Sequence, residues 1–453
     1  MKDITVYSGK KVLVLGFAKS GYAAAKVLYR LGANVVVNDR SSLAEDPRAK
    51  ELQALGIEIV DGGHPLSLLS DELTLIVKNP GIPYSNPLLE VAQKRNISII
   101  TEVELAYQLS EAPFIGITGS NGKTTTTMII GDMLKNGHKK PIVAGNIGTV
   151  LSEVAQEATK DQVLVAELSS FQLMGTKHFH PKIAVLLNLF EAHLDYHGSL
   201  EAYGQAKLRL AKNQTEEDYF VFNADDERVK ELVKQVRSTL IPFSVVEGKT
   251  VGQGAYLSNG VLYHQNEAIL SIDELAMPKG EHNIANALAA IAVAKCYGVS
   301  NEAIITTLRT FTGVPHRLQY VKTVHNRRFY NDSKATNILA TSKALSAFKE
   351  PVILLAGGLD RGNSFDSLIP HLHGVKTLIV FGETKEKLVD AAEKAGVKTI
   401  ISVDNVEAAV PVSYDYSEEG DVILLSPACA SWDQYRSVEE RGDMFMKQVH
   451  MLK

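Results

Sequence analysis

The sequence predicts an α/β protein of three domains built on mostly parallel sheets. Short apolar runs alternate with helix-length stretches in three successive sections, which is the pattern of strands joined by crossover helices. A glycine-bearing turn links strand to helix at the head of the first two sections, and a Gly/Pro-containing stretch, Phe311–Arg317, marks a hinge before the third. The 453 residues suffice for two to four domains at about 100–200 residues each. The expected segments are 1–101, 102–313 and 314–453: an N-terminal Rossmann-like domain, a central P-loop-type ATPase domain and a C-terminal Rossmann-like domain.

In the first section the apolar runs Val12–Leu15, Val35–Val37 and Leu75–Val77 alternate with the helix-like Tyr22–Leu31 and Ala49–Leu55. Gly16-Phe17-Ala18-Lys19-Ser20-Gly21 opens the first helix, and Asp39-Arg40 follow the second strand, where an acidic residue usually meets a ribose. The outer glycines match the dinucleotide fingerprint but Ala18 replaces its second glycine. A helix-capped nucleotide diphosphate, a redox dinucleotide and a tight turn without ligand all remain open here.

The central section holds the most informative stretch. An apolar strand, Phe114–Thr118, runs into Gly119-Ser120-Asn121-Gly122-Lys123-Thr124-Thr125 and then into a helix. Such a turn aims backbone N–H groups and the positive end of the helix at a phosphate; Lys123 adds a mobile cation and Thr124 a hydroxyl ligand for Mg²⁺. Ile117 stands where the general P-loop has its first glycine, so the loop is a shorter variant. Further strands are expected at Val163–Ala166, Ile183–Asn188 and Tyr219–Asn223, and a last helix at Asn283–Cys296.

Ligands gather outside the carboxyl ends of strands in an open α/β sheet. Glu167 ends one such strand and reads either as a partner of Thr124 at Mg²⁺ or as a solvated cap of the next helix. His193, beyond the following strand, is a catalytic or ligand residue or a structural histidine. Lys207, in the helical Tyr203–Leu210, reads from pattern alone as an exposed lysine. In the third section, strands Val352–Leu355, Thr377–Phe381, Thr399–Ile401 and Val422–Leu425, with the helical Lys385–Ala395, predict another doubly wound sheet.

Composition narrows the function classes. Hydrophobic residues make up 45% and charged residues 22%, and the formal charge of −5 comes without a long basic block, which argues against nucleic acid. Two cysteines encode neither a disulfide framework nor a Cys-based metal site. No stretch reaches 18 apolar residues, and the chain enters its first strand too early for a signal segment. The expectation is a cytoplasmic small-molecule enzyme, monomeric and without membrane or nucleic-acid partners.

Eight blocks occur in order: Thr118–Thr125 (TGSNGKTT), Glu167–Leu173 (ELSSFQL), His193–Asp195 (HLD), Ala206–Arg209 (AKLR), His282–Asn286 (HNIAN), Gly313–Arg317 (GVPHR), Asn331–Asn337 (NDSKATN) and Leu425–Tyr435 (LSPACASWDQY). Together they resemble the Mur ligase family, nearly end to end. The last two blocks look like the members that add D-glutamate to UDP-N-acetylmuramoyl-L-alanine in peptidoglycan precursor synthesis.

The resemblance implies a role for each position. Gly16 to Gly21, Asp39, Arg40, Asn79, Pro80 and Gly81 would hold the UDP substrate. Gly119 to Thr125, Asn146, Asn283, Asn286, Arg317 and Asp332 would hold ATP. Lys207 matches the family's carbamylated lysine, whose CO₂ adduct would orient a second Mg²⁺ beside His193, while Thr124 and Glu167 hold the first. Lys334, Thr336, Arg361 and Ser431 would face D-glutamate; Arg361 stands where related enzymes often carry lysine. The implied chemistry is phosphorylation of the L-alanine carboxylate, attack by the D-glutamate amine with His193 or a nearby water as base, and closure of the third domain about Gly313 and Pro315 against water. Rival readings are a folylpolyglutamate-synthase-like ligase, against which the first hundred residues speak, a nucleotide-binding regulator without turnover, and an oxidoreductase.

Overall fold

The computed structural model describes residues 2, 4–247, 249 and 252–452, and leaves the side chain of Asp195 undescribed. Two compact units divide between Phe311 and Thr312.

The first unit contains two sheets. One is wholly parallel, with strands β1 (Lys11–Leu15), β2 (Asn34–Asn38), β3 (Glu58–Val60), β4 (Leu73–Lys78) and β5 (Ser98–Ile100) in the order β3-β2-β1-β4-β5. The order reverses between β1 and β4, and the crevice beyond their carboxyl ends is where such sheets take ligands. The helix Glu102–Leu109 leads to the second sheet; its buried Glu104 accepts hydrogen bonds from the amides of Lys177, His178 and Phe179 at 2.8–3.2 Å. That carboxylate, itself buried, ties the joining helix to the central domain and is satisfied by three backbone donors.

The second sheet has nine strands: β6 (Phe114–Thr118), β7 (Lys140–Gly145), β8 (Gln162–Glu167), β9 (Ile183–Leu186), β10 (Tyr219–Asn223), β11 (Thr239–Ser244), β12 (Ala255–Ser258), β13 (Val261–His264) and β14 (Glu267–Ser271). Their order is β14-β13-β12-β11-β10-β9-β6-β8-β7, antiparallel only among β12 to β14. The central β6 is entirely buried between β8 and β9, so its near-continuous apolar run needs no alternation. The last helix of this unit is Asn301–Thr310, capped by Ser300, and not Asn283–Cys296; the latter lies within Glu281–Cys296, which is buried along most of its length.

The second unit has six strands: β15 (Gln319–Val324), β16 (Arg327–Asn331), β17 (Val352–Gly357), β18 (Val375–Phe381), β19 (Thr399–Ser402) and β20 (Val422–Leu425), ordered β15-β16-β20-β17-β18-β19. The expected doubly wound sheet therefore carries an antiparallel edge, because β15 and β16 turn back through His325 and Asn326, both with positive φ. Near the chain's end Arg441 is fully buried in the helix Val438–Met451. Its guanidinium donates to the carbonyls of Ser333, Gly357, Cys429 and Ala430 and to the Ser333 hydroxyl. Among the described residues, no helix is long and apolar enough to cross a membrane.

Candidate active site

The site is built where β6, β8 and β9 end. Leaving β6, Gly119 has φ +156° and a Cβ there would lie 2.9 Å from the Cβ of Leu187. Gly122, at φ +81°, is the N-cap of the helix Lys123–Asn136, and a Cβ would meet the Asn286 Oδ1 at 2.3 Å. Both positions thus require glycine by backbone conformation and by space. The helix's first internal bond runs from Thr126 N–H to Gly122 O, so the amides before it have no intrahelical acceptor and open toward the loop. Asn188 braces the other side: its carbonyl accepts from Ser120 N at 3.1 Å and its Oδ1 from Asn121 N at 2.9 Å. Lys123 Nζ donates to the carbonyls of Gly119 and Ser120 at 2.9 and 3.0 Å, across the mouth of the cradle.

Glu167, 1% exposed at the end of β8, is not a solvated helix cap. The next helix is capped by Ser169, while Glu167 accepts from Thr124 Oγ1 and Asn146 Nδ2, each at 2.8 Å. A hydroxyl and a carboxylate oxygen 2.8 Å apart have the spacing of neighbouring ligands on a hard cation held at about 2.0–2.1 Å. These residues fit one Mg²⁺. Among the described residues no cluster of three His, Cys, Asp or Glu forms a cage, so phosphate and water oxygens would have to complete the shell.

Lys207 departs furthest from expectation. It is 1% exposed, not a surface lysine: Nζ donates to Gly119 O at 2.9 Å and lies 4.3 Å from the centre of the Tyr203 ring. Burial, with the Lys123 cation nearby, brings its amine down to about 6. A neutral amine offers a hard cation one nitrogen and no charge, so a negative group on that nitrogen would suit a second metal better. Tyr203 also faces His193, ring centres 6.2 Å apart, and Phe171 meets His193 edge-on at 4.9 Å. His193 is exposed and has φ +55° at the N-cap of the one-turn helix Leu194–His197, an uncommon conformation for a residue other than glycine. The four-residue spacing of Tyr203 and Lys207 was available in the sequence as a helical pair; the part of Asn188 was not.

Asn286 is buried and accepts from Thr126 Oγ1 at 3.2 Å, whereas Asn283 turns back to donate to Pro278 O. In the first domain Gly16 has φ +94°, and a Cβ on Gly21 would lie 1.9 Å from Gly16 O, so the turn is closed by its two glycines. Asp39 accepts from Phe17 N at 2.6 Å and Ser41 N at 2.8 Å, and Arg40 is exposed. Asn79 donates to Ser20 Oγ at 3.2 Å and accepts from Gly81 N at 3.0 Å, which brings residues 79–81 against the turn.

Arg317 and Asp332 belong to the second unit, where Asp332 accepts from Leu318 N and Ser426 Oγ, and burial raises it to about 6. A cavity of about 410 Å³ in that unit takes in Thr336 and Arg361 together with Asp360, Phe365 and Cys429. Lys334 and Ser431 do not line it: Lys334 is 3.5 Å from Glu439, and the buried Ser431 hydroxyl has no hydrogen-bond partner among the described residues. Arg361 lies over Trp432, 5.2 Å from its ring centre.

Three family models match successive parts of the chain: "Mur ligase MurD-like, N-terminal domain" at residues 10–101, "Mur ligase middle domain" at 117–294 and "Mur ligase, glutamate ligase domain" at 316–429. The chain is similar to a UDP-N-acetylmuramoylalanine--D-glutamate ligase of Bacillus thuringiensis (strain Al Hakam), 59% identical over 452 residues with all of both chains covered. A protein of the same name from Geobacillus sp. (strain WCH70) is 58% identical, also end to end. Among solved structures, the UDP-N-acetylmuramate-alanine ligase MurC of Thermotoga maritima superimposes with a TM-score of 0.55 at 20% identity, covering 98% of this chain and 100% of that one. A UDP-N-acetylmuramoyl-L-alanyl-D-glutamate--2,6-diaminopimelate ligase gives 0.53 at 18% identity, covering 98% and 93%; these two likenesses concern the fold. With three successive domain matches and full-length relatives far above the level that chance allows, the chain belongs to the Mur ligase family.

Proposed function

We propose that this protein joins D-glutamate to the L-alanine carboxylate of UDP-N-acetylmuramoyl-L-alanine in an ATP-dependent ligation that builds a peptidoglycan precursor. The observation that carries the reading is the convergence on one short loop of Lys123, of the Thr124–Glu167–Asn146 set, and of the buried Lys207 on Gly119 O.

A carboxylate does not react with an amine, so ATP must first turn it into an acyl phosphate. In that step one anion, the carboxylate, attacks another, the ATP γ-phosphate, with ADP leaving, and Lys123 with the loop amides offsets the charge that builds up. A Mg²⁺ held by Thr124 and Glu167 would neutralise the ATP phosphates further. Lys207 is the candidate for the carbamate: a primary amine adds to CO₂ only when unprotonated, and burial leaves it so at neutral pH. The adduct, formed with loss of a proton to water, would put a negative charge and two oxygen donors beside His193 where a neutral amine stood. The D-glutamate ammonium has to lose a proton before it attacks, and His193 or a water next to it is the base in this reading.

The other assignments follow as parts of the same proposal. Segment 1–101 binds UDP through residues 16–21, Asp39, Arg40 and 79–81. Segment 102–313 binds ATP through residues 119–125, Asn146, Asn283 and Asn286. Segment 314–453 contributes Arg317 and Asp332 to the nucleotide and Lys334, Thr336, Arg361 and Ser431 to D-glutamate. The enzyme works as a monomer in the cytoplasm, without membrane or nucleic acid. The test is phosphate release from ATP with UDP-muramoyl acceptors against a panel of L- and D-amino acids. Release that requires both UDP-N-acetylmuramoyl-L-alanine and D-glutamate is expected; release with another amino acid, or with a pteroate acceptor, would overturn it.

A further inference from the structure

Lys78 ends β4 at the point where the first sheet reverses its strand order, and it is 1% exposed. Its Nζ donates to the carbonyls of Asn79, Pro80 and Ile82 at 3.2, 3.1 and 2.8 Å, and to the Tyr196 hydroxyl at 3.4 Å. It also lies 4.9 Å from the centre of the Tyr84 ring, and the Tyr84 hydroxyl donates to Met174 O in the central domain. Among the described residues this buried cation has no carboxylate partner. A cation is costly to bury, and its return here is the shape of one loop, because three carbonyls within four residues are pulled onto a single point.

That loop lies between two sites. On one side, a Cβ on Gly16 would meet Asn79 and Ile82 at 2.7 and 2.9 Å, so the loop is in contact with the turn proposed for the diphosphate. On the other, the Tyr196 hydroxyl accepts from Lys78 and reaches the carbonyls of Ile82 at 3.1 Å and Pro80 at 3.3 Å. Tyr196 belongs to the one-turn helix whose N-cap is His193, and its ring meets Phe171 at 4.6 Å, the same ring that meets His193. The contacts run without a break from Gly16 through residues 79–82, Lys78, Tyr196 and Phe171 to His193.

We propose that Lys78 and Tyr196 form a positioning clamp that fixes the distance between the diphosphate turn and His193, so that the uridine diphosphate end of the acceptor delivers its carboxylate to the phosphate loop. The inference rests on the proposed acceptor. It assigns Lys78 a part in kcat although the residue touches neither reacting atom: binding energy gained at a remote group raises kcat only if the frame between that group and the chemistry is rigid.

Steady-state kinetics with two acceptors test it: UDP-N-acetylmuramoyl-L-alanine, and the same acceptor cut back to its sugar 1-phosphate. Wild-type turnover that depends on D-glutamate must be established first, and its absence would count against the proposed function and not against the clamp. Given it, Lys78→Met should lower kcat on the full acceptor by about 10- to 100-fold and leave KM for ATP within about twofold, so that the kcat advantage of the full over the truncated acceptor largely disappears. Tyr196→Phe should shift the same ratio in the same direction by less, and the double variant should be no worse than Lys78→Met. Tyr196→Phe, which keeps the ring packing, carries the test if Lys78→Met does not fold. Equal losses on both acceptors, or additive effects in the double variant, would overturn the clamp and leave Lys78 a stability residue.

Discussion

Lys78 and Lys207 are the same residue at the same degree of burial, 1% exposed in adjoining domains, yet their surroundings make them different chemical species. Three carbonyls and a hydroxyl surround the Lys78 nitrogen, which burial lowers only to about 8. The Lys207 nitrogen has one carbonyl, a ring face and a second cation nearby, and falls to about 6. At neutral pH the first is mostly an ammonium that organises a loop, the second mostly an amine with a free electron pair. Burial alone therefore does not decide what a lysine does; the Lys123 cation beside Lys207 lowers its amine further, whereas burial acts by itself on Lys78.

The contrast can be broken in several ways. Lys123→Ala removes the cation of the phosphate loop and should lower kcat by on the order of 10²-fold or more while circular dichroism stays unchanged; near wild-type turnover would sink the cradle. The same variant relieves the repulsion on Lys207, whose amine should then protonate at higher pH. Next in size, Lys207→Ala should lose most activity and regain part of it with acetate or another short-chain acid, which supplies a carboxylate to the vacated space. Lys207→Arg should be inactive and unrescued, and an active Lys207→Arg would return this lysine to an ordinary structural role.

A labelling experiment sharpens the pair directly. With ¹³C-bicarbonate, a single lysine carbamate signal should grow as pH rises through about 6, since the neutral amine becomes the major form above that value. It should vanish in Lys207→Met and persist in Lys78→Met; a signal that follows Lys78 would invert the comparison. The smallest effect sets a buried acid beside the buried bases. Glu102, held by the Ser152 amide at 3.0 Å, is raised to about 7 by burial. The folded state keeps this proton where the unfolded chain has released it, so the contribution to stability is complete below about pH 4.5 and is lost as pH rises through about 7. Glu102→Gln should remove that slope, a relative gain on the order of 1–3 kcal/mol at pH 8 against pH 5 in urea unfolding. Parallel pH profiles of the two proteins would refute it.

Several parallel strands were legible because they are continuous apolar runs: Phe114–Thr118 and Tyr219–Asn223 match β6 and β10 residue for residue, whereas the three-residue β3 and the proline-bearing β7 and β11 went unread. The antiparallel strands were not, since β12 to β16 are short and their burial is mixed. One signal was present and unused: Asn259-Gly260, both at positive φ, joins two largely apolar tetrapeptides as a hairpin turn. Glycine, Lys123 and Glu167 pointed to the loop proposed for phosphate because phosphate chemistry restricts such positions to few residue types. Lys78 and the burial of Lys207 stayed hidden, because a lysine's exposure depends on what distant segments bring to it, here Tyr196 and Gly119.

Arg441 has a consequence for the order in which the chain matures on the ribosome. The carbonyls of residues 333, 357, 429 and 430 share one guanidinium that is synthesised after all of them. The Ala430 carbonyl keeps the Leu359 amide as a donor, but carbonyls that lose theirs cost about 1–3 kcal/mol each when buried, so the second unit gains its full stability only once its final helix emerges, whereas residues up to Phe311 have their own cores and can fold during synthesis. Nascent chains halted just before Arg441 should display a protease-resistant first unit and a cleavable second one, and resistance of both would refute this order. The C-terminal helix thus acts as a checkpoint on completeness: a chain that stops short of Arg441 would carry a finished first unit and a second unit still open to proteolysis.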